Sequence, residues 1–132
     1  MDGVDDKARR QASIAWFHDL AIHDRNEIAR RCSPDTEALL RAHVALCLSG
    51  QDVPPRLTPE QFAEVVLDLR ANERDWERAW MAAAVQADDR MLAGQVEEAG
   101  HVLSEFAKAC PWGALRQEAQ AEAERIGGRR DS

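Results

Sequence analysis

Apolar residues recur along this chain at three- and four-residue intervals and nowhere alternate with period two over a useful length. That pattern predicts helices and no sheet. From about Asp5 to Arg31, the positions Ile14, Phe17, Ala21 and Ile28 share one helical face, with Trp16 and Leu20 alongside; polar residues from Asp24 to Asn26 predict a break. Ser33-Pro34 then reads as an N-cap followed by proline in the first turn, where its missing N–H removes nothing. The helix it opens carries Leu40, Val44, Cys47 and Leu48 and stops at Ser49-Gly50. A loop from Gly50 to Leu57, with Pro54-Pro55, leads to Thr58-Pro59-Glu60-Gln61, the signature of a capping box.

The next helix aligns Phe62, Val65, Val66 and Leu69, and a polar break is expected at Ala71-Asn72. Beyond it, Trp76, Trp80, Ala83, Ala84, Ala87 and Met91 lie along one side until Gly94 interrupts. Val96, Ala99, Leu103, Phe106 and Cys110 make a fifth face ended by Pro111. Trp112, Leu115, Ala119, Ala123 and Ile126 make a sixth, before Gly127-Gly128 and a polar tail over residues 127–132. The expectation is an all-α protein of five or six helices, in which short connections make sequential helices antiparallel neighbours. It forms one helical domain over residues 1–132, divided into an N-terminal hairpin at about 5–49, a loop at 50–57 and C-terminal helices at 58–126.

Composition agrees. The 132 residues include 23 Ala, the strongest helix former, while strand-forming residues are scarce. At 45% hydrophobic and 31% charged, the chain has core material that a disordered acidic chain lacks. Fifteen Arg against two Lys, with no Tyr, is the usage of a GC-rich bacterial genome. Three cysteines, Cys32, Cys47 and Cys110, make no disulfide framework and suit a reducing cytoplasm. The acidic start, Met1-Asp2-Gly3-Val4-Asp5-Asp6-Lys7, lacks the apolar run of a signal peptide. The uncharged run from Ala79 to Ala87 falls short of the ~20 residues that span a bilayer.

The stretch from Ala79 to Pro111 resembles a single tetratricopeptide repeat. Gly94-Gln95-Val96-Glu97-Glu98-Ala99 is similar to the turn and early second helix of that motif, Leu103 falls at its large apolar position, and Pro111 at its closing proline. The family's first-helix signature would fall on Ala83, Gln86-Ala87 and Arg90, which do not carry it, and no second copy follows at the family's repeat spacing. The resemblance implies a short superhelical array of hairpins; a helical bundle is the alternative arrangement of the same helices.

Charge is uneven. Residues 1–56 hold nine acidic and eight basic side chains, a balance of −1, while residues 57–132 hold fifteen and nine, a balance of −6. An acidic face of this kind disfavours binding to a nucleic-acid backbone. It suits a basic partner, because opposed charge speeds encounter and fixes orientation. Asp88, Asp89, Glu97, Glu98, Glu118 and Glu122 are its candidate residues, with Trp76, Trp80 and above all Trp112, which opens a helix after Pro111, as aromatic anchors. Arg70, Arg74 and Arg78, interleaved with Glu73 and Glu77, read as an exposed ion-pair ladder.

Catalytic chemistry has fewer signals. His43 and Cys47 are spaced i, i+4, half of a zinc site that Cys32 or His23 would complete, although Cys47 also belongs to an apolar stripe. Asp19 and His23 share that spacing beside His18, a carboxylate–imidazole arrangement seen in general bases. No CxxC, HxxxH or glycine-rich phosphate loop occurs. The sequence therefore reads as a small cytoplasmic protein–protein interaction module and not an enzyme, with no cofactor or metal. It would bind and neutralise a basic protein such as a bacterial toxin or effector, as immunity or adaptor proteins do. The alternatives are a metal-dependent or acid–base enzyme using His18, Asp19, His23, His43 and Cys47, and an acidic regulator of a DNA-binding protein.

Overall fold

In the computed structural model, which describes the backbone of residues 2–131 and the surroundings of residues 6–128, the chain is all-α. The described residues form six helices and no strand: α1 (Asp2–Ala21), α2 (Arg25–Arg30), α3 (Pro34–Cys47), α4 (Pro59–Leu92), α5 (Val96–Ala109) and α6 (Gly113–Asp131). Two compact units arise, Met1–Asn72 and Glu73–Ser132.

Local chemistry accounts for most boundaries. Asp24 ends the first helical stretch by capping α2, its Oδ1 accepting from the Glu27 N–H at 2.8 Å. The break therefore lies just before the polar cluster that signals it. Ser33 and Thr36 cap α3 reciprocally: the Thr36 N–H donates to Ser33 Oγ at 3.1 Å and the Ser33 N–H to Thr36 Oγ1 at 2.8 Å. At the start of α4 the expected box is complete, with the Gln61 N–H on Thr58 Oγ1 at 3.1 Å and the Thr58 N–H on Gln61 Oε1 at 3.0 Å. Between them, α3 pins the 50–57 loop. Arg41 donates to the carbonyls of Pro54 and Pro55 at 3.1 and 2.6 Å, and Glu37 accepts from the Leu57 N–H at 3.0 Å.

Two expected helix ends are absent. α4 runs unbroken through Ala71-Asn72 for 34 residues. Polarity there marks surface, and neither residue forbids helix; Asn costs at most about 0.7 kcal/mol relative to Ala. The boundary between the two units nonetheless falls at Asn72, inside the continuous helix. α6 likewise runs through Gly127-Gly128 to Asp131 in place of a tail. Glycine stops a helix by taking a left-handed φ; among the described residues only Gly50 and Gly94 do so, at 75° and 79°.

In the first unit, α1 packs on α3. Phe17, Leu20, Ala21, Ile28, Leu40, Phe62, Ala63 and Val66 form its core, drawn from the first four helices. In the second, α5 lies closely antiparallel to α6. Ala87, Ala99, Leu103 and Ile126 are buried together there, with Trp80, Met91, Val96, Val102 and Ala123 around them. Small Ala87 and Ala99 allow the helices to approach, and Leu103 and Ile126 fill the space between. No helix among the described residues is long and apolar enough to cross a membrane.

Candidate functional site

The second unit assembles a cleft from residues far apart in sequence. Trp80, Ala84, Ala87 and Asp88 of α4, Leu103 of α5, and Glu122 and Ile126 of α6 line a cavity of ≈ 300 Å³. That volume is at the lower limit of small-molecule pockets, which run from roughly 300 to 1,000 Å³, and suits one side chain better than a cofactor. Its floor is apolar, one wall is the half-buried Trp80 indole, and two carboxylates stand at its edge. Asp88 is exposed; Glu122 is half-buried and ion-paired one helical turn along with Arg125. Trp80 is held in place by Phe106, the ring centroids 5.4 Å apart, and Trp76 meets the same ring edge-on at 5.9 Å.

On the other side of Ile126 lies an open groove of ≈ 570 Å³, lined by Val96, Glu97, Glu98, Gly100 and His101 of α5 and by Ala123, Ile126 and Gly127 of α6. Glu97 and Glu98 occupy the first turn of α5, where the helix dipole favours negative charge. Neither glycine is forced by crowding, since a Cβ at either would meet nothing within 4 Å.

Of the residues named from sequence, Trp80, Asp88 and Glu122 are brought into one cleft, and Glu97 and Glu98 into the adjoining groove. Asp89 and Glu118 are exposed and line neither. Trp76 is half-buried against Phe106. Trp112 requires correction as an anchor: it is only 3% exposed and belongs to the interior. Its carbonyl accepts from the Arg116 N–H at 3.0 Å, opening α6, and lies 3.7 Å from Cys110 Sγ. Along the expected Arg/Glu ladder, two positions are described. Arg78 pairs with Asp75, and Glu73 is buried.

The first unit holds the residues of the enzymatic alternative. His43 is 1% exposed and stacks on Phe17, the rings 4.4 Å apart and inclined by 16°. Its Nδ1 is 2.8 Å from Ser13 Oγ, a pairing across 30 residues with no sequence signal, because it depends on α1 lying against α3. Nε2 is buried without a hydrogen-bond partner in either tautomer. Burial, reinforced by His18, pulls the imidazole down to about 4, so it is neutral near pH 7 and a weak base. Cys47 is buried. The Cys32 thiol is pushed up, first by burial and then by Glu37 and Glu60, which disfavours the thiolate a metal requires. Among the described residues, no three His, Cys, Asp or Glu side chains gather to hold a metal ion.

No protein-family model matches the chain, and neither a curated protein nor a solved structure matches it.

Proposed function

We propose that this chain is a small protein-binding module that takes a basic protein partner, an arginine of the partner entering the Trp80–Asp88–Glu122 cleft. The observation that carries the reading is the cleft's composition: an aromatic face and two carboxylates around an apolar floor. A guanidinium stacks on an indole, and its planar fork of donors matches a carboxylate. The arginine stem would pack against Ala84, Ala87 and Ile126. The neighbouring Glu97–Glu98 groove extends the acidic surface, so a basic partner is steered to the same side of the unit. A bacterial toxin or effector neutralised by this chain is the biological setting that the charge suits.

The test is an NMR titration with a short arginine-containing peptide and its citrulline counterpart, which keeps the shape but loses the charge. The Trp80 indole N–H should shift and saturate with the arginine peptide only. Asp88→Asn and Glu122→Gln should each weaken binding by about tenfold or more, as loss of a charge-assisted pair predicts. An unmoved Trp80 signal, or equal response to citrulline, refutes the reading.

A further inference from the structure

α4 carries a second, outward-facing surface. Met81, Val85 and Leu92 are 66%, 60% and 88% exposed, and all three lie on this one helix. At 100° per residue they fall within about 40° of one another, and Arg74, Arg78 and Asp88 extend the same stripe to about 80°. The six positions, 74, 78, 81, 85, 88 and 92, are spaced four, three, four, three and four residues apart. That is the seam spacing of a coiled coil, repeated over more than two heptads. Ala82 and Ala84 flank it, and neither has the bulk to hold another helix away.

The charges on the stripe choose the occupant. Its N-terminal end is cationic, with Arg74 and Arg78; its centre is apolar; its C-terminal end has Asp88, with Asp89 beside it. Such a face complements itself only when reversed. An antiparallel pair with its two-fold axis level with Ala83 sets Met81 against Val85, Arg78 against Asp88 and Arg74 against Leu92. Parallel pairing would set Arg78 against Arg78 and Asp88 against Asp88 at the seam. We propose that the outer stripe of α4 is a self-recognition surface, on which a second copy of the chain packs its own α4 antiparallel. In that arrangement Arg78 exchanges its exposed pairing with Asp75 for Asp88 of the other copy. The Arg74 stem covers Leu92 while its tip reaches Asp89 one turn away. Each copy uses the same patch, so association closes at a dimer. The carboxylates of Asp75 and Glu77 at the rim oppose tight association, which makes the dimer weak and concentration-dependent.

Sedimentation of the full chain tests this from about 10 µM to about 1 mM, the range that a small interface demands. The average mass should climb from 14.8 kDa towards twice that value. Met81→Glu with Val85→Glu should hold the chain monomeric at concentrations at least tenfold higher. These sites are exposed, so circular dichroism melts should stay unchanged. Arg78→Asp and Asp88→Arg should each weaken the dimer by about tenfold, and the double charge swap should restore it, as coupling between paired charges requires. Glu122→Gln, which weakens arginine binding in the cleft, should leave the dimer intact, so the two proposals fail separately. A monomer throughout, a dimer indifferent to Met81→Glu and Val85→Glu, or a double swap no better than its single components would overturn the inference.

Discussion

His43 makes the stability of the first unit depend on pH well above the range where carboxylates titrate. In the unfolded chain an imidazole titrates near 6.5, whereas in the fold it does so at about 4, because protonation would place a charge beside Phe17 with Nε2 unpartnered. Below pH 6.5 the unfolded chain therefore takes up a proton that the folded chain refuses, and stability falls as pH falls. It is fully present above pH 6.5, declines by up to about 1.4 kcal/mol per pH unit, and has lost up to about 3 kcal/mol by pH 4. Below that, both states are protonated and His43 contributes no further slope. His43→Phe keeps a ring against Phe17 and removes both the proton site and the orphaned nitrogen, though it leaves Ser13 without its partner. Its stability at pH 7 should lie within about 2 kcal/mol of the parent. Urea unfolding at intervals from pH 7 to pH 4, with hydrogen exchange of α1 and α3 peptides to isolate this unit, should show a steep loss in the parent and a shallow one in His43→Phe. Glu27, held below its ordinary range by its hydrogen bond to Arg31, loses that stabilisation only at lower pH and does so equally in both proteins. Identical pH profiles for the two proteins between 6.5 and 4 would refute the account.

Two further substitutions probe the scaffold of the cleft. Gly94→Ala forces an L-residue to a φ of 79° although the space around it is open, and should lower stability by about 1 kcal/mol, read as a fall in Tm. Leu103→Ala removes a side chain that is buried with Ala87, Ala99 and Ile126 and also lines the cleft; denaturant unfolding should show a loss of about 2–5 kcal/mol.

What was legible in the sequence was local. Ser33, Thr58 and Gly94 act through hydrogen bonds or dihedral angles within a few residues of themselves, and each marks a helix boundary in the fold. The signals that misled were also local but ambiguous. Ala71-Asn72 is polar without being a breaker, and Gly127-Gly128 breaks a helix only by adopting a conformation that it does not take. Naming tryptophans as aromatic anchors likewise did not separate the interior Trp112 from the half-buried Trp80. That distinction is set by which face of each helix meets a neighbour.

The cleft shows why the site was only partly readable. Asp88 and Glu122 stand 34 positions apart, and what unites them is the packing of α4 and α6 around Leu103 and Ile126. An acidic excess over residues 57–132 marked the part of the chain that holds the cleft, because net charge survives any arrangement of the helices, but it weighted Glu118 and Asp89 equally with residues that line a concavity. The same limit applies to α4. Periodicity assigned Trp80, Ala84, Ala87 and Met91 to one side; the structure places Trp80, Ala87 and Met91 in or around the core and Ala84 on the cleft wall. It left the opposite side as the solvent face by default. Exposure of Met81, Val85 and Leu92 on that side is what turns a default into an observation, since large apolar residues gathered on an exposed helix face are uncommon. Asp88 lies where the two sides meet, with the cleft on one flank and the stripe on the other, so α4 presents a single carboxylate to both.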